Sequence, residues 1–181
     1  MSGEGTFART LVIGNSGSGK SWLATRLSGW GGLPCTALDD LHWQAGFATA
    51  RPAGEATELA RQAALAEAWV IEGVFGGLAA AILPRATALV WLDLPVEDCL
   101  GALRQRPPRP GEDAASRAAL LAWAAEYPAR DSPSSRQGHA RLFESFAGHR
   151  VRLGSRGAVE AWLRAGLTPR WAIPGDPGCR G

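Results

Sequence analysis

Lysine is all but missing from this chain. Of its 19 basic residues, eighteen are arginine and one, Lys20, is lysine. Cysteine is scarce too: Cys35, Cys99 and Cys179 are odd in number and widely spaced. That excludes a disulfide framework and a zinc-ligand pattern and points to a reducing, cytoplasmic setting. No apolar run approaches the ~20 residues that a membrane-spanning helix needs. The opening Met-Ser-Gly-Glu-Gly-Thr lacks the basic and apolar regions of a secretion signal. A formal net charge of only +2, without a dense basic stretch, argues against nucleic acid or an acidic membrane as the main partner.

What is present reads as an ordinary globular protein. The 181 residues are 46% hydrophobic and 20% charged, enough for one domain with a sizeable core. Short apolar runs alternate with longer helical stretches, as in a parallel α/β sheet. Strands are expected at 10–13, 36–38, 69–71, 88–92 and 150–153. Helices are expected at 20–27, 53–68, 96–104, 114–126 and 137–146, with a last one ending near 165. The segment Ser28-Gly29-Trp30-Gly31-Gly32 reads as a helix breaker, and the prolines of 104–113 as a loop. Residues 1–165 then form one domain with a short arginine-rich lid near 104–113. Residues 166–181, with Pro169, Pro174, Pro177 and several glycines, read as an irregular tail.

The one lysine stands in the strongest motif. Gly14-Asn15-Ser16-Gly17-Ser18-Gly19-Lys20-Ser21 matches the phosphate-loop pattern in full, after an expected strand and before an expected helix. Gly14, Gly17 and Gly19 allow the positive φ angles that turn successive N–H groups inward as an anion nest. The helix that follows aims its positive dipole end at the same point. Lys20 can reach the β- and γ-phosphates, and the Ser21 hydroxyl can bind Mg²⁺. The motif therefore calls for ATP, or another nucleoside triphosphate, together with Mg²⁺.

Ligands of open α/β sheets bind beyond the carboxyl ends of the strands, so acids there are the next candidates. Glu72 follows Trp69-Val70-Ile71 and is the first choice for a carboxylate partner of Mg²⁺, against a solvated turn residue before Gly73. Asp39 comes off the second strand and could take a proton from a substrate hydroxyl; helix or turn capping is the bland alternative. Asp93, before Leu94-Pro95, suits capping as well as chemistry. Arg104, Arg106 and Arg109 lie in or beside the proline-stiffened loop. Guanidinium groups there could neutralise charge on the transferred phosphoryl group and on the nucleotide as a lid closes. The alternative is that they pair with Glu112 and Asp113. His42 and Trp43 could line an acceptor pocket, and Arg51 and Arg85 could hold an anion, though core packing and surface charge are the simpler readings. No partner for His139 or His149 is visible in the sequence.

The order of these pieces resembles one family. Val12-Ile13-Gly14 through Ser21, Leu38-Asp39 with His42-Trp43, Trp69 to Gly73, Arg85-Ala86 and Leu92-Asp93-Leu94-Pro95 are similar to the adenylate-kinase-related P-loop proteins called DNA topology modulation proteins. The resemblance spans roughly residues 9 to 165. It implies a nucleoside monophosphate kinase-like fold: a P-loop three-layer sandwich with a five-stranded parallel sheet in the order 2-3-1-4-5 and helices on both faces. It also implies ATP-dependent phosphorylation of a small molecule. Three positions depart from such relatives: Trp22 replaces a usual threonine, Glu72 a usual aspartate, and Gly77 an arginine suited to an acceptor phosphate. The functional expectation is a kinase for a small acceptor, a nucleoside, nucleotide or other hydroxyl or phosphate compound. The alternative is an NTP-binding regulator or weak NTPase acting on a protein partner.

Overall fold

The computed structural model describes residues 6–44 and 49–166. In chain order the elements are β1 (Arg9–Gly14), α1 (Lys20–Gly31), β2 (Cys35–Ala37), α2 (Leu38–His42), α3 (Ala53–Ala63), β3 (Trp69–Gly73), α4 (Gly76–Ile82), β4 (Ala88–Leu92), α5 (Val96–Gln105), α6 (Ala114–Ala125), α7 (Arg136–Ser145), β5 (His149–Leu153) and α8 (Arg156–Gly166). A single 3₁₀ turn, Leu83–Arg85, precedes β4. The five strands form one parallel sheet in the order β2-β3-β1-β4-β5. This is the order that the family resemblance implied.

Side chains of β1 alternate between two cores, as the period of a strand requires. Val12 joins Leu23, Leu27, Cys99, Val159 and Leu163 on the face covered by α1, α5 and α8. Leu11 and Ile13 join Leu38, Ala60, Leu78, Ile82 and Phe146 on the face covered by α3, α4 and α7. β1, β3 and β4 are buried along nearly their whole length, which explains why they read as unbroken apolar runs.

Several boundaries differ from the sequence expectation, each for a physical reason. α1 runs through the supposed breaker to Gly31. It stops at Gly32, whose left-handed φ of 60° lets its N–H return to Ser28 O. The second strand ends at Ala37, because Leu38 turns inward against Gly73, where an added Cβ would meet Leu38 Cβ at 2.5 Å. Asp39 therefore sits in the first turn of α2 rather than at a strand end. α3 ends at Ala63, ahead of an exposed Leu65 and a turn into β3. α4 was not anticipated, and it opens on two glycines, Gly76 and Gly77, which are weak helix formers. Burial of Leu78, Ala79 and Ile82 against the sheet outweighs their poor helix propensity. The tail expected over 166–181 and Cys179 lie outside the described residues, save Gly166, which ends α8.

Among the described residues no helix is long and apolar enough to cross a membrane.

Candidate active site

The segment between β1 and α1 turns at the carboxyl end of the sheet, between β3 and β4. Gly14, Gly17 and Gly19 have φ of 151°, 79° and 94°. Two of them are also pressed by neighbours. A Cβ on Gly14 would lie 2.5 Å from Leu92 O, and one on Gly17 would lie 2.3 Å from Cys99 O in α5. Asn15 pins the loop: its Oδ1 accepts from Ser16 N at 2.8 Å and its Nδ2 donates to Ala124 O of α6 at 2.9 Å.

Three observations fit this loop to a polyphosphate. The N-terminus of α1 has no side-chain cap and no acid in its first turn, leaving its N–H groups and positive dipole end for an anion. Lys20 is buried, and its Nζ donates to Asn15 O at 2.9 Å. The buried Ser18 Oγ has no hydrogen-bond partner, although a buried hydroxyl ordinarily finds one.

Beside the loop, Ser21 Oγ donates to Glu72 Oε1 at 2.6 Å. Glu72 is the fourth residue of β3, in register with Val12 of β1, and only 6% exposed. Hydroxyl and carboxylate thus meet at the mouth of the loop from residues 51 positions apart. No cluster of three or more His, Cys, Asp or Glu suited to a metal ion occurs among the described residues. One carboxylate and one hydroxyl are what Mg²⁺ uses when waters and phosphate oxygens complete its octahedron.

The three lid arginines part company. Arg106 is committed to Glu112, donating from Nη1 at 3.0 Å and Nη2 at 2.6 Å, so its guanidinium is not free for a nucleotide phosphate. The pairing with Glu112, one of the two readings open from sequence, is the one adopted. Glu112 also accepts from Arg109 N at 2.9 Å and lies 3.4 Å from Arg117 Nη1. The Arg106 hydrogen bonds above all, then that backbone bond, hold its carboxyl below the ordinary range. Asp113 instead caps α6 through Ser116. Arg109 reaches from the loop towards α2, 3.8 Å from Asp39 Oδ2. With Arg109 exposed and Asp39 partly so, that pair contributes little energy but does place the loop over α2. The exposed side chain of Arg104 makes no hydrogen bond or ion pair among the described residues, while its carbonyl accepts from Arg117 Nη2 at 3.0 Å. It neighbours Leu103, which packs on Gly17.

Other candidates resolve into structural roles. The Arg51 Nη1 donates to the carbonyls of Asp40, Leu41 and Trp43, closing the C-terminus of α2 as a cation there should. Arg85 bonds Ala64 O and Leu65 O at the opposite end of the sheet, beside Arg9 at the start of β1. It lies far from the loop. Asp93 is gripped by Arg136 and Arg152. Burial by itself would raise its carboxyl, but those hydrogen bonds outweigh it and the pKa falls below the ordinary value. His139 is buried between Tyr127 and Val74. The ring of His149 packs edge-on against Phe7, 4.9 Å between centroids.

One residue at the loop escaped the sequence reading. Arg156, at the start of α8, donates to Gly17 O and to Asp98 O, each at 3.3 Å. It follows the carboxyl end of β5, so the strand-end rule applied to Glu72 would have flagged it too. With Ser18, Gly19, Trp22, Leu92 and Glu160 it lines a cavity of about 300 Å³. A larger cavity, about 680 Å³, lies beside β5 and contains no phosphate-loop residue.

A five-stranded parallel sheet with this loop between its central strand and α1 defines a P-loop protein of the kinase-type α/β fold. No protein-family model matches the chain, and no curated protein sequence matches it. Solved structures do. The unliganded sugar kinase from Janibacter sp. HTCC2649 is similar with a TM-score of 0.53 at 17% identity, over 91% of this chain and 97% of that one. Shikimate kinase from Acinetobacter baumannii, in complex with shikimate, gives 0.53 at 13% identity, over 89% and 92%. A gluconokinase from Sinorhizobium meliloti 1021 gives 0.53 at 17%, over 89% and 90%. At such identities what the chains share is the fold. The DNA topology modulation family named from the sequence finds no matching model.

Proposed function

We propose that this protein is a P-loop kinase that transfers the γ-phosphoryl group of Mg·ATP to a small acceptor bearing a hydroxyl group. The observation that carries the reading is the 2.6 Å contact between Ser21 Oγ and Glu72 Oε1 at the mouth of the loop. A strand-end carboxylate brought onto the hydroxyl beside the loop lysine has no structural purpose so specific as holding a metal next to phosphates.

In this reading the backbone N–H groups of 15–20 and the Lys20 ammonium bind the polyphosphate, Lys20 exchanging Asn15 O for phosphate oxygen. Ser18 Oγ gains its missing partner. Ser21 and Glu72 hold the Mg²⁺, whose charge neutralises the β- and γ-oxygens when bound. Arg156 and Trp22, beside Ser18 and Gly19, offer a cation and a half-exposed indole for the rest of the nucleotide. Arg104 and Arg109 supply positive charge from the lid side, and α6 and the 106–113 loop exclude water. Asp39 accepts the proton of the acceptor hydroxyl.

The test is ADP release from Mg·ATP with and without a panel of nucleosides, monophosphates, sugars and hydroxy acids. Acceptor-dependent release, reduced roughly hundredfold or more in Lys20→Ala, is expected. Release that no acceptor changes would transfer the protein to the regulator or NTPase class. Calorimetry showing that folded protein binds neither Mg·ATP nor Mg·GTP would end the nucleotide reading altogether.

A further inference from the structure

On the Glu72 side of the phosphate loop the described residues build an aromatic wall. The His42 ring stacks on Phe75 with centroids 3.9 Å apart and planes 22° from parallel. Trp43 meets His42 edge-on at 4.8 Å, and Trp123 lies 6.5 Å from Phe75. All four are half-buried, so each keeps part of its surface open. The wall belongs to the site by position. Phe75 follows Glu72 by three residues, Asp39 precedes His42 by three, and Trp123 adjoins Ala124, which holds Asn15 of the loop.

The cations around this wall are already engaged. Arg51 is given to the carbonyls that end α2. Arg130 stacks on Trp123 at 3.8 Å and bonds Ser134 O and Trp123 O. Arg109 faces Asp39. Burial lowers the basicity of His42 more than nearby Asp39 raises it, so the ring is neutral near pH 7. Arg156 bonds Gly17 O and Asp98 O, on the side of the loop covered by α5 and α8, and Arg104 lies in the last turn of α5. Residues 45–48, Ala-Gly-Phe-Ala, carry no ionisable side chain. Against these stand the carboxylates of Asp39, Asp40 and Glu72.

An anionic acceptor at this wall would therefore meet carboxylates, while the guanidiniums beside it, those of Arg51, Arg109 and Arg130, already face other groups. Aromatic faces instead suit a flat, weakly polar surface, such as a nucleobase or the C–H face of a sugar ring. We infer that the acceptor is an uncharged polyhydroxy compound that lays one flat face against His42, Phe75 and Trp123 and presents a hydroxyl to Asp39. This rests on the kinase reading above and narrows it. As the acceptor oxygen bonds the γ-phosphorus, its proton passes to the Asp39 carboxylate. The departing ADP keeps the electron pair of the broken P–O bond, so charge and atoms balance.

The experiment uses the full chain and begins with calorimetry on Mg·ATP; failure there sinks the kinase reading, not this refinement alone. With ATP binding established, matched acceptor pairs are compared: adenosine and cytidine with their 5′-monophosphates, and glucose with gluconate. The neutral member of at least one pair is expected to show kcat/KM about tenfold or more above its anionic partner. Activity in the nucleoside or the sugar arm then says which source supplies the flat face. Phe75→Ala, and the bulkier Phe75→Leu should alanine disturb folding, should raise the neutral acceptor's KM by roughly threefold to tenfold with the Kd of Mg·ATP unchanged. Preference for the anionic member overturns the inference. So does tight Mg·ATP binding with no turnover of any neutral acceptor, or a folded Phe75 variant with unchanged KM.

Discussion

Acidification should weaken this protein well before its carboxylates titrate, because of His139. The ring is fully buried. Its Nε2 lies 3.0 Å from Val74 O, which can only accept, so Nε2 carries the proton and donates. Nδ1 must then accept from Tyr127 Oη at 2.7 Å, and Tyr127 Oη accepts from Trp91 Nε1 at 3.3 Å. Burial, above all, lowers the pKa from 6.5 to about 4, although the bond to Val74 pulls the other way. An unfolded chain takes up a proton near pH 6.5 that the native ring refuses until about 4. The unfolded state thus binds more protons in that window, and stability falls as pH drops through it. At about 1.4 kcal/mol per pH decade, the loss approaches roughly 3 kcal/mol by pH 4. That is a large share of a typical domain's ~5–15 kcal/mol. Urea titrations followed by tryptophan fluorescence between roughly pH 7.5 and 4.5 would measure it. His139→Gln, which keeps a donor for Val74 and cannot titrate, should flatten the profile over that range. Parallel losses in the wild type and the variant would refute the argument.

Two further outcomes test the site and its support. Glu72→Gln keeps the shape but removes the charge, so half-saturation by Mg²⁺ in the ADP-release assay should rise roughly 10–100-fold; an unchanged Mg²⁺ titration would remove Glu72 from the metal's surroundings. Adjacent glycines of α4 should respond oppositely. A Cβ at Gly76 would sit 1.8 Å from Pro133 O, whereas nothing lies within 4 Å of one at Gly77. Gly76→Ala should destabilise by about 2 kcal/mol or more and Gly77→Ala should stabilise by about 0.5–1 kcal/mol, read as thermal midpoints; equal midpoints would contradict the close approach of α4 to the 133–134 turn.

What could be read in advance was local or periodic. The apolar runs of β3 and β4 announce buried strands, because side chains on both faces must be apolar in a covered parallel sheet. Phosphate-loop spacing is legible because one backbone turn imposes glycine at fixed steps. Glu72 was within reach because the end of a buried run marks where a strand meets its ligand edge. α4 was hidden, since Gly76 answers to a neighbouring turn rather than to helix propensity. Arg106 and Arg109 look alike in sequence; only the positions of Glu112 and Asp39 separate them.

The amino-acid sequence by itself therefore determined the loop, with its solitary ammonium and following hydroxyl, and the alternation that makes a parallel sheet. Those properties depend on neighbours a few residues away. Tertiary structure alone decided that Ser21 meets Glu72, that Arg85 lies at the far end of the sheet, that Arg156 reaches Gly17, and that His139 closes a buried network with Tyr127 and Val74. These contacts join residues 12 to 139 positions apart, and no local pattern encodes which distant backbone or side chain will arrive at that distance.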